Sequence, residues 1–253
     1  MAGPSPELKS NELAERVRRI VDWFAEKGIL NEIAWQGAFN DSLELEGTPS
    51  EPSALISRGV LLSLKQDNAG VDLTFSVYAD RYGADWSWHL CRASIAMNLG
   101  RPKMIADMIR FGVPEGDIAA HESAFNYSGQ SGFFVSASDY AERLKSMKAD
   151  MTLSDRADYL SEVAASGEYL RALGVDELDV AERISAAWLV VSSEAKVTGK
   201  VDLSANEEGI SYNFCIEADI PECLRVQKLM DRALIDKFED PLFEHLSVGV
   251  YPG

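Results

Sequence analysis

The sequence contains few of the residues that build disulfide frameworks and metal sites. Three cysteines occur in 253 residues, at Cys91, Cys215 and Cys223. Their number is odd and none of them forms a Cys-x-x-Cys spacing, which argues against both a disulfide scaffold and a thiolate metal centre. We therefore predict free thiols that pack as small apolar side chains, with no metal ion and no cofactor.

Basic residues are also scarce, with 24 Lys and Arg against 41 Asp and Glu, and the formal net charge is −17. Such a surface repels phosphate backbones and anionic lipids, so we expect no direct binding to nucleic acid or to membranes. High solubility alone would also explain the charge. The sequence has no uncharged apolar run of about 18 residues, which argues against a transmembrane helix. The first residues lack a basic start and an apolar core, so we expect a cytoplasmic protein.

Local catalytic signatures are missing as well. The sequence has no Gly-x-Ser-x-Gly elbow, no phosphate-binding Gly-x-x-x-x-Gly-Lys-Ser/Thr loop, no Gly-x-Gly-x-x-Gly fingerprint and no His-Glu-x-x-His motif. We predict no catalytic residues and favour a protein that is not an enzyme. An enzyme with a dispersed site remains an alternative, in which His89, His121 or His245 would act with a carboxylate.

An imperfect internal echo is the strongest positive feature of the sequence. Residues 70–80 (GVDLTFSVYAD) match residues 209–219 (GISYNFCIEAD) at glycine, phenylalanine, alanine and aspartate positions. Each copy follows a polar turn and precedes a helical segment, so each is interpreted as the return strand of a β-hairpin. The echo predicts two similar halves, although unrelated hairpins also converge on such patterns.

Periodicity and turn residues predict an α+β fold in which antiparallel sheets pack with helices. We expect a flexible N-terminus at 1–9, a first α+β half with a hairpin at 10–112, and an irregular connection at 113–132. Residues 133–253 are predicted to be a helical segment followed by a second sheet and a C-terminal helix. Strand character is also predicted within 31–46 and at 188–191.

The predicted function is the binding of another protein with a basic surface, because acidic residues are concentrated towards the C-terminal end. The candidate partner-binding residues are two tryptophans beside a predicted sheet edge and five residues of the second sheet region: Trp86, Trp88, Glu207, Glu208, Tyr212, Glu217 and Asp219. Tyr212 is expected to be exposed. The basic residues Arg16, Arg18 and Arg19 are expected to pair with neighbouring acids.

Acidic α+β proteins of this kind include toxin-neutralising immunity proteins, other inhibitors and small secretion chaperones. The order of helix, hairpin and helix in each half resembles that of type III secretion chaperones, in element order alone and with no shared motif. A DNA-mimic inhibitor and a homodimer are further alternatives.

Overall fold

The computed structural model describes residues 6–147 and 157–253 and has an α+β architecture. Within these ranges it contains eleven helices and a three-stranded sheet. The chain divides into two compact units, Met1–Cys91 and Arg92–Gly253, and the boundary falls inside one helix. No helix in the described ranges combines the length and the apolar character that a membrane crossing requires.

The first unit is helical. Its elements are α1 (Pro6–Lys27), α2 (Glu32–Glu44), α3 (Glu51–Leu64), α4 (Asn68–Tyr82) and the beginning of α5 (Trp86–Ala96). The first helix is amphipathic, with Leu13, Val17 and Ile20 of α1 buried at helical spacing. The strand character predicted within 31–46 is wrong, since those residues form α2.

The hairpin predicted over residues 62–77 is wrong, because this segment forms the end of α3 and most of α4. The buried positions of α4 are Val71, Thr74, Phe75 and Tyr78, which follow the three- and four-residue spacing of a helix face. The polar turn before them is a helix start, since the side chain of Asp67 accepts a hydrogen bond from the Gly70 N–H at 3.0 Å.

The internal echo therefore does not correspond to a structural repeat. Residues 70–80 lie in α4, whereas residues 209–216 form a strand in which alternate side chains are buried. The prediction of two similar halves is wrong, and with it the resemblance in element order to secretion chaperones. The residues that the two segments share are compatible with both a helix and a strand, because phenylalanine and aliphatic side chains pack on the buried face of either element.

The second unit carries the remaining helices and the sheet. After α5 the elements are α6 (Lys103–Phe111), α7 (Ile118–Gln130), α8 (Phe134–Ser146), α9 (Ala157–Leu173), α10 (Glu177–Glu194), β1 (Val197–Asn206), β2 (Gly209–Ile216), α11 (Ile220–Lys237) and β3 (Leu246–Pro252). The irregular connection predicted at 113–132 is mostly α7, and the strand predicted at 188–191 is part of α10. Ser154 and Asp155, which by residue type predict a helix start, lie outside the described residues.

The sheet has the order β1-β2-β3. The predicted hairpin of β1 and β2 is confirmed as an antiparallel pair, whereas β3 pairs with β2 in parallel after the crossover through α11. One face of the sheet is buried against helices: the Tyr212 ring lies 6.4 Å from Phe134, and the Phe214 ring lies 5.8 Å from Trp188. This packing places the turn between β1 and β2 and the start of α11 at opposite ends of β2.

Candidate functional site

Tyr212 lies in the core, contrary to the prediction that it is exposed. Its side chain is 1% exposed, and its hydroxyl donates a hydrogen bond to the Gln130 carbonyl at 2.7 Å. Burial raises the pKa of this phenol well above its ordinary value, so the hydroxyl stays a donor. Tyr212 therefore joins β2 to the end of α7 and is not available to a partner.

The two candidate tryptophans belong to the Met1–Cys91 unit, whereas the other five candidate residues belong to the second unit. Trp86 and Trp88 are partly buried at the start of α5. The Trp88 indole N–H donates to the Phe75 carbonyl at 2.8 Å, and the two rings meet edge to face. Trp88 thus fastens α5 to α4, and this packing role accounts for much of its surface.

The four candidate acids are exposed but do not form one cluster. Glu207 and Glu208 occupy the turn between β1 and β2, and Glu217 and Asp219 follow the other end of β2. Eight strand residues separate these pairs by roughly 25 Å. Glu217 is paired with Lys196 at 2.5 Å, and the Asp219 carboxylate caps α11 by accepting from the Glu222 N–H at 3.0 Å.

The outward face of α11 is the feature that the sequence interpretation missed. Its inward face is formed by Cys223, Val226, Met230 and Leu234, which are buried at helical spacing. On the other face, Leu224 is 57% exposed, and Ile220 and Ile235 are 66% and 58% exposed. Ile220, Leu224 and Ile235 are separated by four and eleven residues, so they lie along one side of the helix. We call these three side chains the α11 stripe.

Carboxylates outnumber bases on α11 taken together with its flanks. The helix and its flanks carry Glu217, Asp219, Glu222, Asp231, Asp236, Glu239, Asp240 and Glu244 against Arg225, Lys228, Arg232 and Lys237. Asp231 falls on the same side of the helix as the stripe, and its carboxylate accepts from the neutral Gln227 amide at 2.7 Å. Lys228 also falls on this side, between Leu224 and Ile235, so the stripe is interrupted by one base and one acid, and the acidic excess lies in the flanks of the helix.

Part of the local positive charge is already neutralised. Arg225 makes two hydrogen bonds to Glu222, at 2.7 and 2.9 Å, and one to Glu194 at 2.8 Å. The hydrogen bonds from Arg225 lower the pKa of Glu222, so that carboxylate stays ionised. Arg225 is thus committed to two acids within the chain.

The histidines of the alternative enzyme hypothesis lie in structural settings. His121 is buried, with Nδ1 2.8 Å from the Asp117 carbonyl and its ring edge-on to Tyr140. His245 Nδ1 lies 3.1 Å from the Tyr169 hydroxyl, and His89 packs on the Trp88 ring. Across the part of the chain that the structure describes, no group of three or more His, Cys, Asp and Glu side chains could hold a metal ion.

The three thiols are free, as predicted. Burial, together with the charge of Asp85, raises the pKa of Cys91 to about 11, so this thiol is protonated at neutral pH. Burial likewise raises the pKa of Cys223. Protonated thiols are poor nucleophiles and poor metal ligands, which agrees with the packing role predicted for them.

The arginines of α1 also behave largely as predicted. Arg16 pairs with Asp41 of α2, and Arg18 pairs with Glu15 one turn earlier at 2.6 Å. Arg19 lines a groove between α1 and α2 together with Arg16 and the exposed Trp23. Two of the three charges are therefore engaged in ion pairs within the first unit.

Comparison with known proteins found no matching family model, no matching curated protein and no matching solved structure. The function is accordingly argued from the residues of the chain.

Proposed function

We propose that the protein binds another protein whose surface is basic and partly apolar, and that the α11 stripe is the centre of contact. The observation that supports this most directly is the exposure of Ile220, Leu224 and Ile235 along one helix face. Single exposed aliphatic residues are common on protein surfaces, but an aligned group is typical of an interaction site. Covering each such side chain is worth about 1.5–3 kcal/mol.

The surrounding acids define the chemistry of the partner. The excess of carboxylates on α11 and its flanks adds to a whole-chain charge of −17. Complementary charge accelerates encounter with a basic surface and disfavours acidic ones, while the apolar contact supplies most of the affinity. A cationic surface with an aliphatic or aromatic groove fits both properties of the α11 stripe.

Inhibitors such as immunity proteins, and small secretion chaperones, act in this manner, and we propose a role of this type in the cytoplasm. The three free cysteines are consistent with a reducing compartment. The negative charge supports a target that is itself basic, such as a nuclease or a nucleic-acid-binding protein.

The test is partner capture by the full chain and by two double variants. Leu224→Ser/Ile235→Ser removes most of the α11 stripe, whereas Ile33→Ser/Leu73→Ser removes two aliphatic side chains of α2 and α4 that are at least as exposed. Proteins captured from a lysate of the source cells are identified and quantified at low and high salt. We expect a basic partner whose recovery falls about tenfold or more with the stripe variant and not with the control variant.

A photo-crosslinking residue at Lys228, which neighbours the stripe on α11, locates the contact directly. We expect it to crosslink the same partner. Equal recovery of that partner with both double variants, or crosslinking only from distant positions, would rule out the α11 stripe as the binding surface. A partner with an acidic surface would contradict the charge argument.

A further inference from the structure

A groove of about 350 Å³ lies between α1 and α2, within the first unit. Four residues of α1 line it from one helix face, at spacings of three and four residues: Arg16, Arg19, Ile20 and Trp23. The opposite wall is formed by Ile33, Ala34 and Gly37 of α2. We call this space the α1–α2 groove.

Gly37 keeps the floor of the α1–α2 groove open. It lies inside α2, where glycine is less favourable than alanine. At the other glycines inside the described helices a Cβ atom would lie 2.5–2.9 Å from a neighbouring atom: Gly59, Gly70, Gly129 and Gly167. At Gly37 the nearest atom would be Nη1 of Arg16 at 3.7 Å, which is an ordinary contact distance. Packing among the described residues therefore does not require this glycine, and its effect is to leave the groove unfilled.

The walls of the α1–α2 groove are apolar and partly uncovered. Ile20 is buried, whereas Ile33 is 88% exposed and Trp23 is 46% exposed. The Lys27 ammonium lies 5.7 Å from the centre of the Trp23 ring, near the limit of such contacts, and it pairs with Glu26. The exposure of Trp23 is what remains with Lys27 in place, so the indole still presents apolar surface to a ligand.

One of the two arginines of the groove is not committed to an acid. Arg16 pairs with Asp41, whereas Arg19 forms no ion pair within 4 Å with any residue in the described ranges. Glu15, one turn before Arg19, is engaged by Arg18 at 2.6 Å. Among the described residues, none of those that line the groove is a carboxylate. The α1–α2 groove therefore combines apolar surface with a single available guanidinium.

We propose that the α1–α2 groove binds a small monocarboxylate with an apolar tail, such as a medium-chain fatty acid. The Arg19 guanidinium binds the carboxylate through two parallel hydrogen bonds, and the tail covers Trp23, Ile33 and the open floor at Gly37. The charge of −17 disfavours ligands with several negative charges, so a single carboxylate matches the single available cation. The volume lies within the range of small-ligand sites. The α11 stripe belongs to the other unit, so this proposal is independent of the proposed protein partner.

The test measures binding of octanoate and of octan-1-ol to the full chain by calorimetry, at an ionic strength of about 0.15 M. The two probes have tails of equal length, and only octanoate pairs with Arg19. We expect octanoate to saturate one site with a Kd below about 1 mM and to bind about tenfold tighter than the alcohol. Arg19→Gln should weaken binding of octanoate about tenfold and leave that of the alcohol unchanged. The control Arg18→Gln removes the same charge from the same helix outside the groove and should change neither.

Two further variants locate the site. Gly37→Leu fills the groove and should abolish binding of both probes without lowering Tm, because leucine favours a helix more than glycine does. Leu224→Ser/Ile235→Ser leaves the groove intact and should bind octanoate as the unmodified chain does. Failure of octanoate to saturate below about 1 mM would overturn the proposal. So would equal affinity for acid and alcohol, which indicates a purely apolar contact surface, equal losses in Arg19→Gln and Arg18→Gln, or unchanged binding by Gly37→Leu.

Discussion

At the scale of single residues, Glu51 shows how a buried carboxylate is kept ionised in this acidic chain. It is 4% exposed at the start of α3 and accepts hydrogen bonds from the Tyr82 hydroxyl at 2.9 Å and the Gly47 N–H at 3.2 Å, while Arg81 pairs with it. Burial on its own would raise the pKa of Glu51, but these hydrogen bonds and the charge of Arg81 lower it overall.

The lowered pKa gives Glu51 a defined effect on stability. A carboxylate whose pKa is lower in the folded state stabilises the fold above the unfolded pKa and loses that contribution as the pH falls through the folded value. Glu51→Gln should therefore reduce the free energy of unfolding by about 1–3 kcal/mol at pH 7. Urea titrations at pH 7 and at decreasing pH measure this difference, which should shrink in acid.

The control for Glu51 is Glu44→Gln. Glu44 is 64% exposed and pairs with Lys9 at 3.4 Å, so its loss should change stability by less than about 0.5 kcal/mol. If the two variants lose equal stability at pH 7, the network of Glu51 has no special role in α3 and α4.

At the scale of secondary structure elements, helices and strands were predicted correctly where the spacing of apolar residues matched only one of the two structures. The alternating residues Ile210, Phe214 and Ile216 predicted β2 correctly. In α4, Leu73, Phe75 and Val77 alternate as in a strand. Val71, Phe75 and Tyr78 have the spacing of a helix face, and these three residues are the buried ones. A short apolar segment supports both periods, so only packing partners distant in sequence decide between them.

The candidate site was only partly predictable for the same reason. Composition alone indicated that Glu207 and Glu217 would be exposed, and they are. The alternation that predicts β2 also places Tyr212 on the same face as Ile210, so the burial of Tyr212 follows from the strand pattern. The apolar character of Leu224 favours a core position, but Leu224 lies on the opposite side of α11 from Val226 and Met230 and is exposed.

The connections between helices offer a test of how much packing adds to backbone strain. Gly112 and Gly132 follow α6 and α7 at nearly identical φ values of +87° and +88°. A Cβ atom on Gly112 would meet nothing within 4 Å among the described residues, whereas one on Gly132 would lie 2.7 Å from Ile184 and 3.3 Å from the Ala181 backbone.

Alanine at either glycine has the same unfavourable backbone angle, so the difference between the two variants isolates the packing of α10 against the end of α7. Gly112 has φ +87° and ψ +151°, a combination that essentially only glycine adopts, so Gly112→Ala should cost about 1–3 kcal/mol. Gly132→Ala should cost about 1–3 kcal/mol more, because a well-packed contact must shift. Urea unfolding of both variants measures the difference. Equal losses would show that the structure relaxes around Gly132 without cost.

At the scale of the whole molecule, the charge of −17 acts on every folded copy. If each of the 24 basic residues paired with one acid, 17 of the 41 acids would still have no partner. Exposed ion pairs such as Arg18 with Glu15 contribute little individually. Repulsion among the unmatched carboxylates therefore outweighs the attraction of surface pairs, and it destabilises the compact state.

Salt should consequently stabilise the protein. Increasing the ionic strength from about 0.01 M to about 0.1 M shortens the Debye length from about 30 Å to about 10 Å, which screens repulsion across the surface more than contacts within pairs. We expect Tm to rise by a few degrees in sodium chloride, as measured by differential scanning calorimetry. Glu207→Gln/Glu208→Gln removes two negative charges from −17 and should reduce this rise, whereas Lys228→Gln/Arg232→Gln removes two positive charges and should increase it. Only repulsion predicts opposite changes in the two variants. A Tm that falls with salt, or the same salt response in both variants, would therefore show that the surface ion pairs dominate.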